Sequence, residues 1–166
     1  MGMRETLEGR IRDWLDDPDS SVEYAEEVEG RWAVRMRQET RDATTVWFDI
    51  GERSLRYEAY VLPAAGASRD LLAQALRRNV KGWRAYFALD DEEGLVLRAR
   101  LAEPQVTHAE LDRALGEIYD TIEVSFRPLV RALTEAGREG ISEPRVRTTA
   151  QRSPAPRDDG SRENSG

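Results

Sequence analysis

The sequence predicts an α+β fold in which helices cover one face of an antiparallel sheet, with the element order α-βββ-α-ββ-α. Apolar residues recur at helical spacing in three separate stretches of the chain. Between these stretches lie segments with period-two alternation, and turn residues join them into two hairpins. Because hairpins pair neighbouring strands antiparallel, the sheet is antiparallel, and the helices are expected to cover its apolar face.

The first half of the chain predicts one helix and three strands. Apolar residues spaced i, i+4, i+7 and i+8 over residues 7–15 predict the helix, which Asp17-Pro18-Asp19 ends. The three strands that follow occupy residues 32–36, 44–50 and 55–62. The last two are joined through Gly51-Glu52-Arg53-Ser54, which is typical of a hairpin connection.

The second half predicts a short helix, a second hairpin and a long closing helix. The short helix covers residues 69–78, and the two strands of the hairpin occupy residues 83–89 and 95–101. The turn between them is acidic and ends at Gly94, which tolerates the positive φ of a tight turn. Thr107, three residues before Glu110, is expected to cap the closing helix, which continues to about residue 135.

A change in composition near residue 137 divides the chain into a folded domain and a tail. Residues 1–136 are expected to form one domain. Beyond them, Ile141 and Val146 are the only large aliphatic residues, among many Arg, Ser, Pro and Gly residues. Such a segment buries too little apolar surface to offset the entropy lost on ordering. We therefore predict that residues 137–166 are a disordered tail.

The composition excludes several classes of enzyme site. The 166 residues contain no cysteine, which excludes disulfides, thiolate metal sites and a cysteine nucleophile. The one histidine, His108, excludes a multi-histidine metal site. The sequence has neither a glycine-rich phosphate loop nor a nucleophile elbow. We predict a protein without enzymatic activity, and therefore without catalytic residues, a bound metal or a cofactor.

Charge and hydropathy indicate the kind of partner. The 25 basic and 32 acidic residues give a net charge of −7, and residues 1–136 alone carry −8. This charge argues against nucleic acid, which requires a surplus of cations on one face. No apolar run approaches the roughly 20 residues that span a bilayer, and the first residues lack the apolar core of a signal peptide. We expect a cytoplasmic protein that binds neither nucleic acid nor membrane.

Strand alternation assigns the residues of the sheet to two faces. One face is apolar and is expected to lie under the first and last helices. The other face mixes aromatic and aliphatic side chains with arginines, a combination typical of protein interfaces. Its candidate partner-binding residues are Trp47, Tyr60, Leu62, Tyr86 and Val96. An alternative is that these side chains stack across strands and shield the sheet, or meet a second copy of the chain.

One compact basic patch lies after the short helix. It contains Arg77, Arg78, Lys81 and Arg84, with Trp83 among them. Aromatic and basic side chains together can stack a nucleobase, but the surrounding domain is acidic. The composition therefore favours a contact with an acidic stretch of another chain.

Several segments resemble the YbjN family, and in particular its actinobacterial branch. The resembling segments are residues 46–51, 60–63, 71–79, 85–90, 94–97 and 111–126. Together they place the resemblance over about residues 5–135, outside the tail. The fold of this family is similar to that of the type III secretion chaperones, so the resemblance implies the same arrangement of helices on one face of a sheet.

The resemblance implies a function in binding a protein or peptide segment rather than in catalysis, often as a homodimer. Family members are described as sensory transduction regulators, and no catalytic residues carry over from them. Secretion chaperones hold an extended client segment along their surface, a role that the five candidate residues would serve here. Two rival hypotheses remain: a purely structural, self-associating domain, and an enzyme that uses carboxylates such as Asp49 and Glu58.

Overall fold

A computed structural model describes residues 1–141, which form three helices, six strands and one 3-10 turn. The helices are α1 (Met3–Asp16), α2 (Arg69–Asn79) and α3 (His108–Ile141). The strands are β1 (Val22–Val28), β2 (Arg31–Arg37), β3 (Ala43–Ile50), β4 (Ser54–Pro63), β5 (Tyr86–Leu89) and β6 (Gly94–Ala102). All neighbouring strands pair antiparallel, in the order β1-β2-β3-β4-β6-β5. The predicted α+β class is therefore confirmed.

The predicted element order lacks one strand, because β1 was not recognised as a separate element. This strand lies at the edge of the sheet and pairs only with β2, so most of its side chains are exposed on both faces. Its alternation is therefore weak in the sequence. The connection to β2 is a two-residue turn in which Glu29 and Gly30 both have positive φ, as a tight hairpin requires.

The hydrophobic core lies between the helices and one face of the sheet. Apolar side chains of all three helices share one buried cluster with those of the central strands. Its largest fully buried members include Leu7 and Ile11 of α1, Phe48 and Tyr57 of the sheet, and Ile118 of α3. The prediction of a continuous apolar face under the helices is confirmed, because period-two alternation fixes which side of each strand is buried.

A polar contact joins the first and last helices outside this core. The Asp112 carboxylate of α3 accepts hydrogen bonds from Arg10 Nε at 2.7 Å and Arg10 Nη2 at 2.8 Å. It also accepts the indole N–H of Trp14 at 2.8 Å. A bidentate arginine contact fixes orientation as well as distance, so it constrains how α1 lies against α3 beside their shared core.

The closing helix is longer than predicted. Thr107 Oγ1 accepts the Glu110 N–H at 3.2 Å, which confirms the predicted cap. The helix continues through Pro128 and past residue 135 to Ile141, the last residue that the structure describes. Of the predicted disordered tail, residues 137–166, the first five are helical, and the remainder lies outside the described residues. Within residues 1–141, no helix is long and apolar enough to cross a bilayer.

The strand predicted over residues 83–89 is shorter in the structure and begins at Tyr86. The three preceding backbone N–H groups, from Trp83 to Ala85, all donate to the same carboxylate oxygen of Glu117 on α3. Because these donors are used by a helix side chain, residues 83–85 form a loop instead of extending the strand.

Candidate functional site: the open face of the sheet

The candidate site is the sheet face that the helices leave uncovered, which we call the open face. A shallow groove of about 850 Å³ crosses it. Four of the five candidate residues line this groove, namely Trp47, Tyr60, Tyr86 and Val96. Tyr60 and Tyr86 are half-exposed and Trp47 is partly exposed, whereas Val96 is only 1% exposed and lies in the floor.

The centre of the groove is a row of side chains on four neighbouring strands. In this row Trp47 pairs with Glu58, Glu58 with Arg98, and Arg98 with Tyr86. Arg98 Nε donates to Glu58 Oε2 at 2.6 Å, and this hydrogen bond raises the pKa of the Arg98 guanidinium. An ion pair therefore lies between two aromatic side chains, which supply apolar contact surface on either side of it.

One end of the groove is basic. A second row is formed by Arg31, Asp49, Arg56 and Arg100 on four successive strands of the sheet. Arg56 donates to the Asp49 carboxylate, so one positive charge in this row is paired. The guanidinium carbon of Arg31 lies 4.8 Å from the ring centroid of Trp47, within the range of a cation–π contact. This end therefore carries a surplus of positive charge.

The opposite end of the groove is acidic. Asp90, Asp91 and Glu92, in the turn between β5 and β6, line it there. The turn is close to Tyr60, because a Cβ added to Gly94 would lie 2.8 Å from both the Tyr60 ring and the Asp90 carboxylate. Along β6, Arg98 and then Arg100 lie progressively farther from this turn. The groove thus has an acidic end, an aromatic centre and a basic end.

Leu62 does not lie on the open face, so its predicted assignment to that face was wrong. Tyr60 pairs with Val96, but Leu62 pairs with the adjacent Leu95, which marks a β-bulge at Val61. The extra residue shifts the alternation, and Leu62 joins the core at 3% exposure. Simple alternation from Tyr60 cannot reveal this, because a bulge reverses the faces beyond it.

Arg41 stabilises the bulge from the loop before β3. Its guanidinium donates to the carbonyl oxygens of Tyr60 and Val61, both at 2.7 Å. It also donates to Thr44 Oγ1 and lies 5.1 Å from the ring centroid of Phe126. Burial lowers the pKa of the Arg41 guanidinium. This contact positions Tyr60 in the groove, and no sequence pattern singles Arg41 out.

Two other charged residues lie where the sequence did not predict them. Arg31 lines the groove but precedes the predicted first strand, which began one residue later. Extending the alternation back by one residue would have placed it on the open face. Arg84, which belongs to the predicted basic patch and to the strand predicted over residues 83–89, instead forms an ion pair with Glu110 of α3 at 3.0 Å. The loop that contains Arg84 is hydrogen-bonded to Glu117 of α3 and is not part of a strand, so strand alternation does not predict the direction of its side chains.

The carboxylates considered for catalysis are engaged with arginines. Asp49 pairs with Arg56, and Glu58 pairs with Arg98. Residues 1–137 contain no group of three or more His, Cys, Asp or Glu side chains that could hold a metal ion. His108 lies at the start of α3, with Nδ1 3.7 Å from the Asp13 carboxylate of α1. The groove therefore offers paired charges and aromatic surface for binding.

Comparison with protein families gives one match. Residues 9–130 match the YbjN family, described as "Putative bacterial sensory transduction regulator". This match covers most of the residues that the structure describes, including the whole sheet and both groups of charged residues in the groove.

Relatives among curated proteins are mycobacterial. An uncharacterized protein of Mycobacterium tuberculosis is 30% identical over 82 residues, which are 49% of this chain and 45% of that protein. An uncharacterized protein of Mycobacterium leprae is 28% identical over 101 residues, 60% of this chain and 55% of that one. The chain spans about half the length of the curated relatives it matches.

Two solved structures are similar at 20% identity. The crystal structure of YbjN from E. coli matches 81% of this chain and 93% of its own, with a TM-score of 0.43. A chain of the heterodimeric ExoU-SpcU complex, from the type III secretion system of Pseudomonas aeruginosa, matches 78% of this chain and 98% of its own, with a TM-score of 0.42.

Proposed function

Because residues 9–130 match the family model, the chain belongs to the YbjN family, and we propose that it is a non-enzymatic, chaperone-like or regulatory module that binds a protein segment on its open face. The observation that carries this proposal is the groove of about 850 Å³, with partly exposed aromatic side chains at its centre. The proposed location is the cytoplasm.

The chemistry of the groove defines the segment that would fit it. Trp47, Tyr60 and Tyr86 offer large contact surfaces with few rotatable bonds, so little conformational entropy is lost when they are covered. The opposite charges at the two ends would orient a bound segment. Its acidic residues would lie toward Arg100 and its basic residues toward Asp91, with apolar side chains between them.

The first experiment measures peptide binding to the full chain. Peptides selected by display on the purified protein are titrated against Trp47→Ala and Tyr60→Ala. Val124→Ala, at an exposed apolar position on α3, serves as the control outside the groove. We expect dissociation constants to rise at least about tenfold for the first two variants, or about 1.4 kcal/mol, and to stay unchanged for the control. If the selected peptides bind both groove variants as tightly as they bind the unchanged protein, the open face is not the binding surface.

A second candidate function is self-association through the same face. The charges favour it, because two copies packed antiparallel would bring the acidic turn of one onto the arginines of the other. The variants Arg100→Glu and Asp91→Lys are each expected to weaken such a dimer, and the double variant is expected to restore it. Light scattering gives the mass of each. A monomer at all concentrations removes this candidate, whereas rescue by the double variant favours it over peptide binding.

A further inference from the structure

A second exposed surface lies at the end of α2, outside the open face. It presents three large apolar side chains to solvent: Leu76 is 62% exposed, Val80 87% and Trp83 81%. We call this surface the α2 patch, and its members are Leu76, Arg77, Arg78, Val80, Lys81 and Trp83. The helix itself packs on α3 and β5, so the patch belongs to the helical side of the molecule.

The apolar residues of the α2 patch lie at the end of α2 and in the turn and loop that follow it. Val80 keeps a right-handed helical conformation after the last residue of α2. The following amides continue the turn, with Lys81 N donating to the Arg78 carbonyl at 3.1 Å and Gly82 N to the Asn79 carbonyl at 3.3 Å. Leu76 and Val80 therefore stand at i and i+4 on one side of the helix end, and Trp83 follows three residues later in the loop.

The loop that carries Trp83 is fixed from two directions. Glu117 accepts the backbone N–H groups of Trp83, Arg84 and Ala85 at 3.0, 2.7 and 2.9 Å. Before the loop, the Asn79 side chain accepts the Phe87 N–H at 2.7 Å and donates to its carbonyl oxygen at 3.2 Å. The exposure of Trp83 is thus imposed by the fold. A backbone held in place before binding lowers the entropy lost on association.

The charge of the α2 patch is opposite to that of the domain around it. Among residues 1–137, Arg77, Arg78 and Lys81 form no ion pair. The three cations lie on a domain whose net charge is −8 over residues 1–136. Charge complementarity therefore favours an acidic ligand on this patch. Unpaired cations around an exposed Trp are also typical of the residues that anchor a protein interface.

We propose that the α2 patch is a second docking surface, which binds an acidic segment of a partner protein that also carries aliphatic or aromatic residues. The acidic groups contact Arg77, Arg78 and Lys81, and the apolar groups cover Val80 and Trp83. A second copy docked by the same patch would place like charges against each other. The remaining surface of the domain is acidic and repels a polyanion as large as a nucleic acid.

The test uses the full chain and two pools of short synthetic peptides. The first pool is randomised over Asp, Glu, Leu, Phe and Trp, and the second replaces the acidic residues with Lys and Arg. Fluorescence anisotropy is measured with the unchanged protein, with Trp83→Ala and with R77E/R78E/K81E. We expect only the acidic pool to bind. Its dissociation constants should be at least about tenfold higher for both variants than for the unchanged protein. For the unchanged protein, the dissociation constant should rise as salt is added.

Matched controls separate this result from the open face and from net charge. R12E/R127E/R131E makes the same change in charge at three other exposed arginines, and Trp47→Ala alters the groove. The charge control is expected to bind the acidic pool as the unchanged protein does, and any loss of binding in Trp47→Ala is expected to be smaller than the loss in Trp83→Ala. Loss of binding in Trp47→Ala but not in Trp83→Ala would move the acidic ligand to the open face and overturn this proposal while leaving that function intact.

Other outcomes also overturn the α2 patch as an acidic-peptide site. One is equal binding of the two pools, or binding of neither. A second is capture of the chain by phosphatidylglycerol vesicles but not by the acidic pool, which would assign the patch to an anionic lipid surface. A third is a fall in the mass measured by light scattering for Trp83→Ala, which would assign the patch to contact between copies of the chain.

Discussion

Glu117 of α3 accepts the backbone N–H of Trp83 at 3.0 Å, across 34 residues of sequence. The same carboxylate oxygen accepts the N–H groups of Arg84 and Ala85. One side chain therefore satisfies three consecutive backbone donors that would otherwise need a strand neighbour or water. This contact delays the start of β5 to Tyr86, and it fixes the loop from which Trp83 projects into solvent.

Replacing Glu117 by alanine is expected to destabilise the protein and release this loop. A hydrogen bond to a charged acceptor contributes about 1.5–3 kcal/mol to stability. Water can bind the three N–H groups in place of Glu117, so we expect a net loss of only about 2–3 kcal/mol in the free energy of unfolding. Glu117→Gln keeps a carbonyl oxygen and should lose less. Urea denaturation measures the stability, and amide exchange reports residues 83–85. Unchanged protection of these amides in Glu117→Ala would contradict the proposed anchoring.

Two glycine substitutions are expected to change stability in opposite directions. A Cβ at Gly82 would lie 2.7 Å from the Ala85 carbonyl oxygen, so Gly82→Ala must distort the loop after α2 and destabilise the protein. A Cβ at Gly116, within α3, meets nothing within 4 Å. Gly116→Ala should stabilise the helix by about 0.5–1 kcal/mol. Thermal and urea denaturation of the two variants provide the comparison, and a destabilised Gly116→Ala would contradict it.

The buried Tyr57 is expected to make stability fall at alkaline pH. Burial raises the pKa of Tyr57 to about 12, with Glu117 adding to the rise. A raised folded-state pKa gives stability that is present below the unfolded value near 10 and is lost as pH rises toward 12. The Tyr57 hydroxyl makes no hydrogen bond of ordinary geometry to residues 1–137, although the Arg84 guanidinium lies beside it. Tyr57→Phe should therefore fold with only a small loss of stability. Denaturation midpoints from pH 8 upward should fall less steeply in Tyr57→Phe; equal slopes would contradict the assignment.

Glu123 is expected to make stability fall at acidic pH. Burial favours its neutral form, but hydrogen bonds from the Glu39 N–H, the Gln38 side chain and the Thr40 N–H outweigh burial and lower the pKa of the carboxyl below its usual 4.5. Its contribution is therefore present above pH 4.5 and is lost as pH falls through the lowered pKa. Glu123→Gln should be less stable than the unchanged protein at pH 7, and the difference should shrink toward pH 2. A difference that stays constant with pH would refute this role.

Arg41 is expected to be required for the bulge that positions Tyr60. Arg41→Met leaves the carbonyl oxygens of Tyr60 and Val61 without their donor, and we expect a loss of about 2–3 kcal/mol in the free energy of unfolding. Arg41→Lys retains one donor group and should lose less. Urea denaturation gives the stability. Chemical shifts along β4 report the bulge itself, and unchanged shifts in Arg41→Met would show that the bulge does not depend on this contact.

The parts of the fold that follow from local pattern were predictable. Alternation placed Phe48, Leu97 and Leu101 in the core, and the spacing from Thr107 to Glu110 identified the start of α3. On the open face, the same alternation selected Trp47, Tyr60 and Tyr86, three of the residues that line the groove. It failed at Leu62, because the bulge inserts one residue and nothing in the neighbouring sequence marks the insertion.

The sequence by itself determined the α+β class, the buried face of the sheet and the resemblance that the family match confirms. The fold class and the buried face follow from the spacing of apolar residues that are close neighbours in the chain, and packing on a common core does not change that spacing. Tertiary structure alone decided where β5 begins, which way Leu62 faces and how Trp83 is presented. Each of these depends on a side chain distant in sequence, Glu117 or Arg41, that supplies hydrogen bonds to backbone groups no local pattern can assign.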